Sequence, residues 1–336
     1  MEIPADANVA QGMDVAPAPP KLLHATGFPL RMEPRGDPSA AYLLRLADAE
    51  RARLSAELLR SGALLFRGWR VESLDHFSQF VTAFSGSQAR FGYAGGASPR
   101  KGLGGKGLYS STEYPPEMWL GLHNELSYAG LQPRRLFFCC LVEPRRGGET
   151  TLADSRRILA DLDPALADEF RRRGLRYIRN LSPLAGTGYG WPDAFETHDP
   201  AEAEAHARAS GAEVEWRRGG AMRVSQALPA TAFHPETGEE VWFNQADGFH
   251  PSALSPAAYA EQRVLCGSED NFRLNVSFAD GGEIPLAALR HIRKVLRART
   301  VLHRWQRGDI VVLDNHLTAH GRAPFEGPRK IALAMT

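Results

Sequence analysis

The chain has 336 residues, a hydrophobic fraction of 43% and a formal net charge of +1, from 40 basic and 39 acidic side chains. This supply of apolar side chains is enough for a large core and excludes a globally disordered chain. The balanced charge gives no reason to expect a nucleic acid or a membrane surface as the partner, and no apolar run approaches the roughly 20 residues of a membrane span.

The N-terminal segment differs in composition from the rest of the chain. Residues 1–20 are rich in Ala and Pro and lack the basic and apolar regions of a signal peptide. We expect a mobile lead-in there, followed by a single domain over residues 21–336. The three cysteines, Cys139, Cys140 and Cys266, are too few for a disulfide framework and fit a cytoplasmic location.

The first half of the chain alternates helical patterns with short apolar runs. Residues 40–60 predict one helix that ends before Gly62, residues 63–66 a buried strand, and residues 74–84 an amphipathic helix. Residues 92–106 are dense in glycine and predict a flexible loop. This loop lacks the strand–loop–helix context of a phosphate-binding loop, so we exclude that reading.

The second half predicts strands with helices beside them. Residues 136–142 and 330–335 read as buried strands, and residues 163–173 and 285–299 as helices. Residues 185–220 are rich in Gly, Pro, Ala and charged side chains, which predicts an insertion over the core. A mainly β fold with flanking helices, a sandwich or squashed barrel, fits this order best.

A His-x-Glu string and a distant histidine stand out as candidate metal ligands. In a strand, residues i and i+2 point to the same face, so His123 and Glu125 would present an imidazole and a carboxylate together. A second imidazole, from His320 or His316, would complete two histidines and one carboxylate, the donor set of non-haem Fe(II) oxygenases. His316 and His320 lie four residues apart, so strand parity does not separate them.

Four strings, in this order, resemble the taurine dioxygenase family of Fe(II)- and 2-oxoglutarate-dependent oxygenases. The resemblance covers the chain from about Leu58 onward, and the glutamate in the metal motif is similar to the branch of clavaminate synthase and the syringomycin-type aspartyl hydroxylases. It implies a double-stranded β-helix, or jelly roll, with Fe(II) and 2-oxoglutarate as cofactor and cosubstrate. The strings are Tyr109–Pro115, His123–Glu125, Gly147–Thr150 and Asp314–Arg329.

The resemblance also implies roles for individual residues. His123, Glu125 and His320 would bind the iron, because the family pattern of a histidine followed by Gly-Arg selects His320 over His316. Thr150 and Arg329 would bind 2-oxoglutarate. Arg322 and Lys330 remain alternatives to Arg329 as the anchor of the cosubstrate.

The expected reaction is hydroxylation by dioxygen of an unactivated carbon in an amino acid, free or tethered to a carrier protein, in natural-product biosynthesis. Related halogenases lack the carboxylate ligand, so the presence of Glu125 favours hydroxylation, desaturation or epoxidation over halogenation. Candidate substrate contacts are Glu113, Tyr114 and Asn244. We expect Trp119, by contrast, to be a core residue, because large aromatic side chains are mostly buried.

Three alternatives stay open at this point. A zinc hydrolase could use the same ligands, but the chain has no His-Glu-x-x-His string, and Thr150 and Arg329 would have no role. A non-catalytic binding protein of the same fold is the second. The third is the same enzyme class performing desaturation, epoxidation or ring formation.

Overall fold

The structure is a computed structural model that describes residues 21–22, 27–34, 36–98, 100–104, 107–111, 114–186 and 190–336. The lead-in predicted for residues 1–20 and the candidate Glu113 lie outside the described residues. In the part of the chain that is described, no helix is both long and apolar enough to cross a membrane.

Short strands carry most of the core. They are β1 (Lys21–Leu22), β2 (Leu30–Met32), β3 (Ala63–Phe66), β4 (Leu108–Ser110), β5 (Leu120–His123), β6 (Arg135–Val142), β7 (Arg146–Gly147), β8 (Thr150–Asp154), β9 (Leu175–Leu181), β10 (Glu213–Trp216), β11 (Met222–Leu228), β12 (Thr231–Phe233), β13 (Glu240–Trp242), β14 (Leu274–Phe278), β15 (Val301–His303), β16 (Ile310–Asp314), β17 (Thr318–Arg322), β18 (Phe325–Glu326) and β19 (Lys330–Met335).

Helices cover the outer faces of the sheets. They are α1 (Ala40–Ala49), α2 (Arg51–Ser61), α3 (Leu74–Ser85), α4 (Ser155–Asp161), α5 (Pro164–Arg173), α6 (Trp191–Phe195), α7 (Pro200–Ala209), α8 (Ala246–Phe249), α9 (Pro256–Cys266) and α10 (Leu286–Arg299), with single 3₁₀ turns at Arg218–Gly220, Pro251–Ala253 and Glu269–Asn271.

Two large sheets form the framework. One has the order β2-β3-β16-β6-β19-β4 and the other the order β1-β15-β8-β17-β5, so neighbouring strands are distant in sequence. Neighbouring strands in both sheets are antiparallel except at one edge of each, where β1 pairs with β15 and β2 pairs with β3 in parallel. Two antiparallel sheets with such crossovers form a jelly roll, which confirms the predicted fold class. A further sheet, β10-β11-β9-β14, lies beside them.

Alternation along β6 shows how the core is divided. Leu136, Phe138 and Cys140 are buried with side chains of the second sheet, whereas Phe137 and Cys139 are buried under α1, α2 and α3. This is the period of two expected for a strand buried on both faces. The adjacent cysteines therefore point to opposite faces and are free thiols.

The helix predicted over residues 40–60 is two helices. The chain bends at Glu50, whose φ of −102° and ψ of 16° lie outside the helical region. Because of this bend, Leu43 on α1 and Leu54 and Leu58 on α2 reach the same buried cluster. Gly62, at φ +76°, ends α2 as the sequence predicts.

The interval predicted as an insertion contains regular structure. In the described part of residues 185–220, α6 and α7 precede β10, which pairs with β11. Trp191, Phe195 and Met222 form a small separate core there. This unit packs beside β9, next to the loop that lies over the candidate active site.

Candidate active site

Two histidines face each other across neighbouring strands. His123 ends β5 and His320 lies in the middle of β17, where the two residues are register partners; their ring centroids are 4.4 Å apart. The strands approach closely because Gly321 has no side chain: a Cβ there would lie 2.4 Å from the carbonyl oxygen of Leu120. The antiparallel register thus brings together two residues that are remote in sequence.

Glu125 completes a set of three donors. One ligand atom each from His123, Glu125 and His320 can be chosen so that all lie within 4.8 Å of one another, and Glu125 Oε2 is 3.6 Å from His320 Nε2. His316 lies elsewhere, stacked on Phe243 with centroids 4.5 Å apart. Two imidazoles and one carboxylate fit a non-haem iron and leave other coordination positions open.

The protonation states suit metal binding. Burial and the neighbouring His320 lower the pKa of His123 to about 4, so its imidazole is neutral at physiological pH. Burial alone would raise the pKa of Glu125, but the Arg100 guanidinium holds it well below its usual range. Arg100 Nη2 donates to Glu125 Oε2 at 2.7 Å.

Asn315 fixes the loop that carries Glu125. Its Oδ1 accepts from the Glu125 backbone N–H at 2.7 Å, and its Nδ2 donates to the carbonyl oxygens of Glu125 at 3.0 Å and Pro133 at 2.9 Å. Asn124 Nδ2 in turn donates to the Asn315 carbonyl at 2.6 Å. Leu126 follows at φ +55°, a strained conformation for this residue type, so the hydrogen bonds hold a turn that the chain alone would not favour.

We therefore expect Asn315→Ala to lower the free energy of unfolding of the metal-free protein by about 3–5 kcal/mol, because three buried backbone groups would lose their partners. Urea denaturation measures the change. Asn271→Ala, which removes hydrogen bonds from an exposed side chain, is the control and should cost less than about 0.5 kcal/mol. Equal losses for the two variants would contradict this role of Asn315.

A narrow cavity lies on the His320 side of the donor set. Ser111, Thr150, Arg322 and Arg329 line it together with His320. Thr150 Oγ1 accepts from Trp305 Nε1 at 3.0 Å, so its own hydroxyl hydrogen remains free to donate into the cavity. A hydroxyl donor and arginine guanidinium groups suit a carboxylate.

Arg329 is the cation best placed to bind that carboxylate. It donates to Gly148 O at 3.1 Å and to Ser111 Oγ at 3.0 Å, and among the described residues it has no acidic partner. Burial, helped by Arg322, lowers its pKa to about 10, which leaves it charged at neutral pH. Lys330 is exposed at the start of β19.

Arg322 has a different set of contacts. Its guanidinium donates to the carbonyl oxygens of Tyr114, Pro115 and Met118 at 3.0, 2.6 and 2.9 Å. These bonds hold the loop before β5, and in the described part of the chain Nε is the guanidinium nitrogen without a partner. Arg322 thus lines the narrow cavity but is largely engaged in supporting its wall.

A larger cavity of about 910 Å³ opens on the other side of the donor set, lined by His123 and Glu125. Tyr114 lines it as well. Trp119, expected in the core, is 46% exposed and also lines this cavity, because it precedes β5 on a loop rather than facing a sheet. The expectation for Trp119 was wrong.

Asn244 is buried near His123 rather than exposed to the larger cavity. Its Nδ2 donates to Ala230 O at 2.7 Å and its Oδ1 accepts from the backbone N–H of Ala246 at 3.0 Å. The neighbouring Gln245 does line the larger cavity, and its Nε2 donates to Asn124 O at 3.0 Å. The structure thus places Gln245, not Asn244, on the cavity wall.

Sequence reasoning missed Arg100, Ser111 and Asn315. Arg100 lies in the loop that glycine content marked as flexible, and nothing in its neighbourhood distinguishes it from a surface arginine. Ser111 belongs to a string that the resemblance identified, without a role being assigned to it. Asn315 directly follows the apolar strand that ends at Asp314, ahead of His320. An amide side chain in that position was the signal available in the sequence.

Two histidines and a carboxylate at the centre of a jelly roll, beside an arginine- and threonine-lined cavity, define a non-haem iron oxygenase of the 2-oxoglutarate-dependent class. The model of the family described as "Taurine catabolism dioxygenase TauD, TfdA family" matches residues 28–336. The chain belongs to this family, which confirms the resemblance, the enzyme class and the use of Fe(II) and 2-oxoglutarate.

Two curated relatives match most of the chain. Dapdiamide synthesis protein DdaC from Enterobacter agglomerans is 34% identical over 279 residues, which are 83% of this chain and 83% of that protein. Clavaminate synthase-like protein At3g21360 from Arabidopsis thaliana is 33% identical over 293 residues, 84% of this chain and 83% of that one.

Among solved structures, PvcB from Pseudomonas aeruginosa has a similar fold. The TM-score is 0.52 at 15% identity, over 91% of this chain and 84% of that one. PvcB is described as an Fe, alpha-ketoglutarate dependent oxygenase from an isonitrile synthetic pathway. At this identity the comparison supports the jelly-roll fold alone.

Proposed function

We propose that this oxygenase hydroxylates an unactivated carbon of an amino-acid-like substrate, free or tethered to a carrier protein, in a natural-product pathway. His123, Glu125 and His320 would hold the iron between the two cavities, with 2-oxoglutarate in the narrow one and the substrate in the larger one. When bound, iron supplies the activation of dioxygen, coupled to oxidative decarboxylation of 2-oxoglutarate to succinate.

The charge of the larger cavity carries the substrate proposal. Among the described residues, its cationic lining side chains outnumber the acidic ones by six to two; they are Arg100, Arg273, Arg290, Arg293, Lys294 and Arg297 against Glu125 and Asp247. Such a wall favours a substrate with an anionic group. The carboxylate of a free amino acid would satisfy it, and so would the phosphate of a carrier protein's prosthetic arm.

The position of these cations and the size of the cavity favour a substrate that is tethered to a carrier protein. Arg290, Lys294 and Arg297 lie along one face of α10, and no acidic partner pairs with them among the described residues. The cavity of about 910 Å³ is at the upper end of the range for ligand sites, about 300–1,000 Å³, and larger than a free amino acid needs. DdaC, named for dapdiamide synthesis, supports a biosynthetic role.

The chain's own residues contribute geometry to this reaction. Asn315 fixes the Glu125 backbone, and Gln245 ties the same loop to α8 through Asn124. Thr150 and Arg329 would orient the cosubstrate so that its reacting end meets the metal. Desaturation, epoxidation and ring formation use the same arrangement and remain alternatives within the class. The cytoplasmic location inferred from the cysteines stays a prediction.

Succinate release tests this proposal. Fe(II)-loaded protein, prepared without oxygen, receives 2-oxoglutarate, oxygen and a panel of free and carrier-bound amino acids, with His123→Ala in parallel. We expect succinate that depends on iron, on His123 and on a panel member. Mass spectrometry should show the gain of one oxygen; the loss of two hydrogens would indicate desaturation or ring closure, and product structure separates hydroxylation from epoxidation.

A charge reversal separates the two forms of the substrate. Lys294→Glu should lower kcat/KM for a carrier-bound substrate and make it less sensitive to salt, while a free amino acid should react nearly as before. Iron-dependent succinate without any response to the panel would keep the enzyme class and reject the tested amino acids as substrates. Complete absence of succinate from protein that binds metal and 2-oxoglutarate would favour the non-catalytic alternative.

A further inference from the structure

Arg100 is a buried cation whose donors are only partly used. Its side chain is 2% exposed, and Nη2 donates to Glu125 Oε2 at 2.7 Å. Among the described residues, its Nε and Nη1 are buried and have no hydrogen-bond partner. The guanidinium lies over the ring of Tyr93, with Cζ 4.5 Å from the ring centroid.

Unpaired N–H groups of a buried guanidinium are costly, because water no longer solvates them. Burial disfavours the charged form of Arg100, and the neighbouring Glu125 carboxylate raises its pKa, so the group stays a cation. One carboxylate oxygen satisfies one of its nitrogens. The remaining edge is suited to a second oxyanion, since guanidinium groups bind carboxylates with two parallel N–H donors.

The loop that carries Arg100 is fixed to the rest of the protein. The backbone N–H of Ala97 donates to Tyr128 Oη at 2.6 Å, and Arg179 Nη1 donates to Gly95 O at 2.5 Å. These anchors place Arg100 where it lines both the narrow and the larger cavity, beside the metal donors. The unpaired edge is therefore held at the site before any ligand binds.

The narrow cavity must accommodate a dianion. Arg329 can neutralise one carboxylate of 2-oxoglutarate, and its contacts with Ser111 and Gly148 place it away from Glu125. Arg100 contacts Glu125 directly, at the metal end of the same cavity. We propose that Arg100 binds the 1-carboxylate of 2-oxoglutarate, the one beside the 2-oxo group, through Nε and Nη1, while Nη2 holds Glu125. This inference rests on the placement of iron and 2-oxoglutarate proposed above and is independent of the substrate.

Two substitutions separate these functions of Arg100. Arg100→Lys keeps a cation for Glu125 but loses the planar edge, whereas Arg100→Met loses both. Titration of the protein with Co(II), monitored through the absorbance of the bound metal, measures the affinity of the metal site without turnover. We expect Co(II) affinity within about threefold of wild type for Arg100→Lys, and about 10- to 100-fold weaker for Arg100→Met. Circular dichroism verifies that both variants fold.

A comparison of two ligands then shows which carboxylate of 2-oxoglutarate Arg100 binds. Calorimetry on Co(II)-loaded protein compares 2-oxoglutarate with 2-oxobutanoate, which has the 2-oxo acid end but no second carboxylate. Arg100→Lys should bind both ligands about 10- to 100-fold more weakly. Arg329→Lys is the matched comparison, and it should weaken 2-oxoglutarate while leaving 2-oxobutanoate within about threefold.

Three results would overturn the proposal. Wild-type affinity of Arg100→Lys for both ligands would show that the free edge binds neither. Weakening of 2-oxoglutarate alone would place Arg100 at the other carboxylate. Loss of Co(II) affinity in Arg100→Lys as large as in Arg100→Met would reduce Arg100 to a residue that positions Glu125.

Discussion

Replacing His320 with alanine should lower Fe(II)-dependent succinate formation by more than about 100-fold, because loss of even an outer partner of a metal ligand typically costs about 10- to 100-fold. His320 is one of three donors within 4.8 Å of one another, and in the described part of the chain no other histidine joins that set. Succinate measured at saturating 2-oxoglutarate, together with Fe(II) affinity from equilibrium dialysis, tests this expectation.

His316→Ala is the matched control. The two histidines are four residues apart: His316 precedes β17 and His320 lies within it. His316 stacks on Phe243 rather than facing the metal donors. Fe(II) affinity and succinate formation should therefore stay within about threefold of wild type, with a loss of stability of about 1–3 kcal/mol from the removed ring. If His316→Ala lost iron and His320→Ala retained it, the assigned ligand would be wrong.

Arg329→Leu should raise the Kd of 2-oxoglutarate by about 30-fold or more, while Co(II) binding remains. Removing one partner of a buried, hydrogen-bonded charge pair costs about 2–5 kcal/mol, and 1.4 kcal/mol corresponds to a factor of ten. Arg329 lines the narrow cavity and, unlike Arg100, has no acidic partner among the described residues. Calorimetric titration of Co(II)-loaded protein gives the Kd.

Its neighbours supply the comparison. Lys330→Leu removes an exposed charge and should change the Kd by less than about threefold. Arg322→Leu removes the hydrogen bonds to Tyr114, Pro115 and Met118. Its main effect should be lower thermal stability, with a smaller change in the affinity of the folded protein for 2-oxoglutarate. A larger loss of 2-oxoglutarate affinity in Lys330→Leu than in Arg329→Leu would reassign the anchor.

The sequence predicted the parts of the structure that depend on local patterns. Apolar runs identified β3, β6 and β19, and Gly62 identified the end of a helix. The His-x-Glu string and the family resemblance indicated the jelly roll and the iron, because both depend on residue types and their order.

Features that depend on tertiary pairing were not accessible. Parity could not choose between His316 and His320, since the choice depends on the register of β17 against β5. The bend at Glu50 and the exposure of Trp119 follow from how helices and loops meet the sheets. The role proposed for Arg100 depends on its burial beside Glu125, and burial of an arginine in a glycine-rich loop has no local signature.

Asn315 and Glu125, which share reciprocal hydrogen bonds, are 190 residues apart in sequence. A chain that has not yet formed the β17–β5 pairing holds His123 and Glu125 but lacks the third donor and the amide that orients the second. Iron that reacts with oxygen without such control damages proteins by oxidising their side chains. The long-range architecture therefore couples assembly of the reactive centre to completion of the fold, so that a partly folded molecule is a poor host for iron.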